Sequence, residues 1–489
     1  MTNSSSRAGF LEAPRTFWAV ALLIALLFSL TNLPWQLDDY DQAKQAFTSF
    51  EMVQSGHWLY QHTPNEKIAT KPPLVGWISA ALYGVTRSWE VAWRLPSIVA
   101  ALLLAVALSR AAGAAYGRAA ALLALAAFGL NLLAPRLATL VRTDMPLALI
   151  VFLLGLQIWQ KVRSAESWTP RDRAVAFALL TCAMLVKGPI VYAFLLPGIV
   201  LYQLHRRQHR AGGNAWCGWW PWIFSLAIFL AWTAAGIAWV PGFYDQVVVR
   251  EFAGRFGETV HRPQPIYFYL PHLLHKFAPW SVLVIALAIA AWRAERGTFA
   301  HRMQRLSPEI VWLLSWSLGG LLAMSLIPSK RVDRIFPLVP PLCLLLAAQV
   351  ARSPVREKAR RWSVIALGVA AVGSSIYTAQ RVLPGYRSQE GALVQFGKEV
   401  RQEAAAHAWR YEVIGGKEEG LLLYLRRTRF ISPVEAAARW SAGTLDALVV
   451  PAGELPALAL MLPGAKRGGI EGAVTIHGSE RRYVLLTRS

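Results

Sequence analysis

About eleven times along this chain an apolar run long enough to cross or nearly cross a bilayer is interrupted by a short polar loop. The runs lie at roughly 17–35, 94–112, 118–134, 145–160, 174–189, 191–205, 221–241, 279–293, 310–327, 335–351 and 363–380. A helix needs about 20 apolar residues to span the hydrocarbon core. In lipid every backbone polar group must be satisfied within the segment, so such runs fold as helices. The expected fold class is an α-helical polytopic membrane protein with about 11–13 transmembrane helices. Composition agrees: of 489 residues 55% are hydrophobic and only 16% charged, against about a quarter charged in soluble proteins. The 21 tryptophans suit the membrane–water interface. The first run follows Arg7 and Arg15 and has no small-residue cleavage site after it. It reads as an uncleaved first helix, with a removed signal peptide as the alternative.

The net charge of +22 would by itself suggest nucleic-acid binding. The basic residues cluster in short loops between apolar runs, however, which is a topology signal and not a nucleic-acid surface. Lys161–Arg173, Arg206–Arg210, Arg293–Arg305 and Arg352–Arg361 read as cytoplasmic loops, and those between them as outward. The first long outward loop is acid-rich, with Asp38, Asp39, Asp41, Glu51 and Glu66. An odd number of spans places the N-terminus inside and the C-terminus outside. Pro72–Val85 is apolar but flanked by outward loops, so a re-entrant or interfacial helix is expected there. Cys182 and Cys343 lie inside runs and Cys217 in a basic loop, which gives neither a disulfide framework nor a zinc pattern.

After Arg381 the composition changes. A division into a membrane domain, residues 1–382, and a small extracytoplasmic α/β domain, residues 383–489, is expected. A helical pattern runs from Ser388 to His407, and short strands are expected at Tyr411–Ile414, Arg429–Ile431, Ala447–Val450 and Arg482–Leu486. Gly415-Gly416 lacks the rest of a dinucleotide fingerprint.

Two outward segments carry candidate chemistry. Leu37 to Lys44 sets carboxylates just past the first helix, where one could accept a proton from an incoming hydroxyl; a solvated loop with topogenic acids reads equally well. Lys71 precedes Pro72-Pro73, which fix the chain's direction, and its ammonium could hold a lipid phosphate or simply snorkel. The loop Pro328–Arg334 is basic yet outward, against the positive-inside bias; an anionic lipid phosphate is the natural counter-charge, and a short basic loop tolerated among stronger topology signals is the alternative. Arg142, Lys187 and Arg255 fall on the same side, and ionisable groups beside membrane spans are functional candidates.

These residues carry a family resemblance. Asp41-Gln42, Glu51-Met52 with Gly56 and Trp58, Lys71-Pro72-Pro73, Arg94-Leu95-Pro96-Ser97, Arg142-Thr143-Asp144 and Leu185-Val186-Lys187-Gly188-Pro189 stand in order. Glu251-Phe252 with Arg255-Phe256, His261 to Tyr269, Pro279-Trp280, and Ser329-Lys330 with Pro337 to Pro341 follow. The series resembles the bacterial branch of the GT-C glycosyltransferases, which includes aminoarabinose transferases acting on lipid A and is related to protein O-mannosyltransferases. The resemblance implies sugar transfer from a polyprenyl-phosphate donor to a lipid, glycan or protein acceptor, by a protein of the bacterial inner membrane whose active site faces the extracytoplasmic (periplasmic) side, with inversion at the anomeric carbon. It further implies Asp41 and Asp144 as catalytic residues. Lys71, Arg255, Lys330, Arg331 and Arg334 become candidate phosphate ligands, and Arg142, Lys187, His261 and Tyr267 further site candidates. The sequence departs from the family at Gln42 (usually Glu), Thr70 (usually an acid), Phe252 (often His) and Arg334 (usually Tyr). The first three argue against carrying over a divalent-metal site; no metal ligand is assigned and the cofactor stays unknown. A flippase for lipid-linked sugars and an inactive family member are the alternatives.

Overall fold

The computed structural model describes residues 9–37, 39–209, 212–250, 254, 263–294, 306–387, 392–415, 418–476 and 479–488. They form two compact units. The first comprises Met1–Thr31, Thr70–Val75 and Leu95–Ala379, the second Asn32–Ala69, Gly76–Arg94 and Gln380–Ser489.

Each of the eleven apolar runs falls on a helix. In chain order the helices are α1 (Pro14–Leu30), α2 (Tyr40–Ser55), α3 (Leu74–Thr86), α4 (Trp89–Tyr116), α5 (Arg118–Gly129), α6 (Ala134–Ala138), α7 (Asp144–Ser164), α8 (Pro170–Lys187), α9 (Ile190–His209), α10 (Trp219–Trp239), α11 (Tyr269–Lys276), α12 (Trp280–Ala294), α13 (Pro308–Leu326), α14 (Val339–Ala351) and α15 (Arg356–Arg387). Among the described residues six helices are long and apolar enough to cross a membrane alone, or seven if α11 and α12, bent by 99° at their junction, count as one span. The protein is a multi-pass membrane protein. The apolar stretch after Pro73 is the 13-residue α3, about 20 Å long at 1.5 Å per residue and so short of a full span.

In the first unit small residues set the packing. A Cβ on Gly198 of α9 would stand 2.6 Å from the Trp316 Cα of α13, and one on Gly319 would stand 2.6 Å from the Gly198 nitrogen. Membrane helices gain no hydrophobic drive from each other and associate by such close approach. The Trp316 ring covers Gly155 of α7, and Trp312 Nε1 donates to the Gly155 carbonyl at 3.1 Å. Asn131 shapes the turn from α5 to α6. Its Nδ2 donates to the Ala127 and Phe128 carbonyls at 2.8 and 2.7 Å, and its Oδ1 accepts from the Leu133 and Ala134 amides at 2.8 and 2.9 Å. One buried side chain thus satisfies four backbone groups where two helices meet.

The second unit joins the first long loop, which carries the hairpin β1 (His62–Thr63) and β2 (Lys67–Ile68), to the C-terminal α/β part. Its four-stranded sheet has the order β3-β4-β6-β5, with β3 (Tyr411–Val413) parallel to β4 (Ala447–Pro451), and β6 (Ser479–Arg488) antiparallel to both β4 and β5 (Ala465–Ile476). Trp440, Leu448, Val450, Val484 and Leu486 fill the core on one face. The expected strand at Arg429–Ile431 is only a bridge from Ile431 to Ile414. β5 was not expected, because Lys466, Arg467, Gly468, Gly469 and Gly472 hide its alternation. Gly472 is needed there: a side chain would strike Phe396 of the helix Ala392–Ala406.

The unit boundary differs from a cut at 382/383. Gly420, in the helix Glu419–Leu425, has no room for a side chain beside the Leu37 carbonyl. The Leu37 amide donates to the Tyr424 hydroxyl oxygen at 3.0 Å. Asn65 and Phe430 exchange bonds of 3.2 and 3.4 Å. Arg94 pairs with Glu90 at 2.5 Å and lies 5.0 Å over the Trp35 ring.

Substituting leucine at Gly198 should destabilise the protein by about 1–3 kcal/mol, the usual cost of overpacking. Gly368→Leu should be neutral, because nothing lies within 4 Å of a Cβ there. Thermal unfolding in detergent, followed by tryptophan fluorescence, compares the two; equal melting temperatures would contradict the close α9–α13 approach.

Candidate functional site

A cavity of about 220 Å³ opens in the first unit. Lys71, Lys187 and Arg334 line it together with Thr70, Ser329 and Gly188. The remaining wall is apolar and includes Phe229, Trp232, Met324 and Ile327. The local sequence explains how the cations arrive. α8 ends at Lys187, and Gly188 closes it with φ 73°, its amide donating to the Met184 carbonyl at 2.8 Å. That left-handed φ favours glycine. Pro189 then starts the return into α9, so Lys187 sits at the tip of a tight helical hairpin. Lys71 stands where Pro72-Pro73 lead into α3. Arg334 lies in the 3-10 turn Val332–Leu338 and donates to the Ser329 carbonyl and hydroxyl at 2.7 and 3.3 Å.

Two buried ion pairs order the neighbouring charges. Lys187 Nζ donates to Asp144 Oδ1 at 2.5 Å. Asp144 opens α7, where the positive end of the helix dipole favours a carboxylate, and Lys71 and Arg142 lie within its electrostatic reach. Arg142 donates to Asp333 Oδ2 at 2.8 Å, and Arg136 stands 4.0 Å from the other oxygen. The segments 70–75, 134–144, 185–190 and 327–334 carry seven cations (Lys71, Arg136, Arg142, Lys187, Lys330, Arg331 and Arg334) against two carboxylates (Asp144 and Asp333). The excess, seven minus two, is five positive charges, which suits an anionic ligand.

Of the expected site residues, Lys71, Lys187 and Arg334 line the cavity and Asp144 and Arg142 buttress it. Lys330 does not line it: it is buried, which lowers its pKa, and its Nζ donates to the Gln264 carbonyl at 2.9 Å. Arg331 is not among the lining residues. Tyr267, 69% exposed on the turn Ile266–Phe268, is not among them either. Arg255 and His261 lie outside the described residues. Phe229 and Trp232 went unrecognised, because aromatic residues inside an apolar run give no signal of facing a cavity.

Asp41 belongs to the second unit, in the first turn of α2. Asp39 caps that helix, its Oδ1 accepting from the Asp41 and Gln42 amides at 3.0 and 3.1 Å. The capping work therefore falls to Asp39 and not to Asp41. In the same unit Glu51, His57 and His62 converge, with one ligand atom from each lying within 4.8 Å of the others. Glu51 contacts His57 Nδ1. Burial, then the neighbouring His57, holds the His62 imidazole below its usual range, against the pull of Glu51 and the Tyr60 backbone. No metal ligand is assigned from the sequence, and among the described residues this is the group whose His and acidic ligand atoms lie close enough to hold an ion.

Residues 70–239 match the family described as dolichyl-phosphate-mannose-protein mannosyltransferase. The undecaprenyl phosphate-alpha-4-amino-4-deoxy-L-arabinose arabinosyl transferase of Yersinia pestis (strain Pestoides F) is 28% identical over 346 residues, 67% of this chain and 58% of the relative. The protein of the same name from Pectobacterium carotovorum subsp. carotovorum (strain PC1) is 28% identical over 386 residues, 75% of this chain and 66% of the relative. The chain thus spans less than two thirds of the length of these relatives. The crystal structure of ArnT from Cupriavidus metallidurans bound to undecaprenyl phosphate aligns with a TM-score of 0.69 at 19% identity, covering 96% of this chain and 97% of that one. The chain shares the fold of that protein, and the resemblance drawn from the ordered motifs is borne out.

Glu419, beside the Leu37 approach, is buried with an Oε2 that has no hydrogen-bond partner among the described residues. Burial pushes its pKa up from 4.5 to about 7. The folded state then holds this proton between about pH 4.5 and 7 while the unfolded chain releases it, so stability falls as pH rises through that window and levels off above it. The loss is on the order of 3 kcal/mol. Glu419→Gln should flatten the dependence and be the more stable protein at pH 8; an unchanged pH profile of thermal unfolding would contradict the buried neutral carboxyl.

Proposed function

We propose that this protein transfers a sugar from a polyprenyl-phosphate donor to an envelope acceptor such as lipid A, a polysaccharide or a protein. The observation that carries the reading is the two-faced cavity: Lys71, Lys187 and Arg334 gather beside a wall of Phe229, Trp232, Met324 and Ile327. A phosphate ester of a long hydrocarbon needs both surfaces at once. Cations in a low-dielectric wall bind phosphate far more strongly than in water.

In the proposed reaction an acceptor oxygen attacks the anomeric carbon and the bond from that carbon to the phosphate oxygen breaks. The polyprenyl phosphate leaves with the bonding electron pair, and Lys71 and Arg334 stabilise its growing negative charge. Asp144 positions Lys187 for the same task. The acceptor proton passes to Asp41, a role that rests on the motif and on its place at the start of α2. The family resemblance supports inversion, and the basic-loop asymmetry supports an inner-membrane protein of a bacterium with Asp41 and the C-terminal sheet outside the cytoplasm. Formation of a new covalent product by purified protein separates this reading from a flippase, which makes none.

Lys71→Ala and Arg334→Ala should each weaken donor binding about ten- to a hundredfold, since a charge-assisted contact contributes roughly 1.5–3 kcal/mol. Arg331→Ala should change it little. Titration of detergent-purified protein with polyprenyl phosphate measures this, and parental affinity in both cavity variants would contradict the phosphate assignment. For Asp41→Asn the expectation is a fall in single-turnover transfer of at least about 100-fold with donor affinity retained. Full transfer by that variant would exclude Asp41 as the base.

A further inference from the structure

We propose that Glu51, His57 and His62 form a binding site for a divalent transition metal of the zinc class, placed to clip the end of α2 to the hairpin that follows it. Glu51 sits in the last turns of α2. Gly56 ends the helix in the left-handed region, φ 81°, which reverses the chain and returns His57 onto Glu51. The chain then runs into β1 (His62–Thr63), which pairs antiparallel with β2 (Lys67–Ile68). That hairpin brings the His62 ring to 4.1 Å, centroid to centroid, from the ring of His57.

Two imidazoles and one carboxylate are a donor set that zinc accepts with three protein ligands and an open position. Zinc bonds of about 2.0–2.1 Å place tetrahedral ligand atoms about 3.4 Å apart. The present ligand atoms lie within 4.8 Å of one another, so the set has to close by no more than about 1.4 Å to reach that spacing. A second observation points the same way. Glu51 Oε2 and His62 Nδ1 are buried and have no hydrogen-bond partner among the described residues. Buried polar atoms are almost always satisfied. The Glu51–His57 contact alone leaves these two atoms unexplained, whereas an ion between the three side chains gives them a role. The His57 side chain is 45% exposed, which provides an entry path and room for a water on the open position.

The ion's place also limits what it does. Ten residues of helix separate Glu51 from Asp41, about 15 Å along the α2 axis, so it is remote from the proposed base. The cluster uses none of positions 42, 70 or 252, where the relatives' acids and histidine are missing. A structural clip that fixes α2 against its hairpin is the function that fits, and it does not depend on the donor assignment.

The test uses full-length protein in detergent, carrying no histidine tag, stripped with chelator and titrated with zinc chloride. One zinc per chain after desalting, measured by plasma mass spectrometry, together with a raised melting temperature, is the expected result. Cobalt substitution should give the visible d–d bands of a mixed nitrogen–oxygen site. Glu51→Gln, His57→Gln and His62→Gln should each weaken zinc binding at least tenfold and remove the thermal gain. His57→Gln changes a half-exposed side chain, so its elution profile and metal-free melting temperature should match the parent. Absence of bound zinc in the parent, or undiminished binding in all three variants, would overturn the proposal.

Discussion

The Lys187–Asp144 ion pair is the interaction on which the cavity depends. An ammonium beside an apolar wall loses much of its hydration, a penalty of several kcal/mol per ion. It stays charged there only with a partner of good geometry. Asp144 supplies that partner at 2.5 Å from the first turn of α7, where exposed helix amides favour a carboxylate. Gly188 and Pro189 set the direction from which Lys187 arrives. The Asn131 turn, which leads through α6 to Asp144, sets the other half.

With that pair in place the surroundings remain electropositive. Asp144 and Asp333 are each already engaged, by Lys187 and by Arg142 with Arg136. Among the described residues that line the cavity beside Lys71 and Arg334 there is no carboxylate. The cations that line the cavity suit an anion, and the adjoining aromatic and aliphatic wall suits one that carries hydrocarbon. This charge and hydrophobicity pattern, more than any single residue, supports the proposed lipid-phosphate chemistry.

Much of the membrane architecture was legible because each run obeys the one rule that lipid imposes on a backbone. Lys71 and Lys187 were legible for a related reason: a charged residue next to proline or glycine at the end of a run marks a turn at the membrane boundary. The basic loop was legible as a cluster but not residue by residue. Which of Lys330, Arg331 and Arg334 reaches the cavity depends on the 3-10 turn at Val332–Leu338, whose side-chain directions no linear pattern encodes. Phe229 and Trp232 look like any aromatic residue within a span. The Glu51–His57–His62 convergence was hidden because its spacing follows neither helical nor strand periodicity; a left-handed Gly56 and a two-residue strand create it. The grouping of the first long loop with the C-terminal sheet rests on the closeness of Gly420 to Leu37, a contact across more than three hundred residues that composition cannot reveal.

The central claim is that the cavity in the first unit holds a polyprenyl phosphate. A photoreactive polyprenyl phosphate with its diazirine a few carbons from the phosphate, cross-linked to the purified protein and mapped by peptide mass spectrometry, tests it most directly. The account predicts adducts on the segments bearing Phe229, Trp232, Met324 and Ile327, competed by unlabelled polyprenyl phosphate and strongly reduced in Lys71→Ala. Adducts spread over lipid-facing helices such as α15, indifferent to competitor and to Lys71, would contradict it.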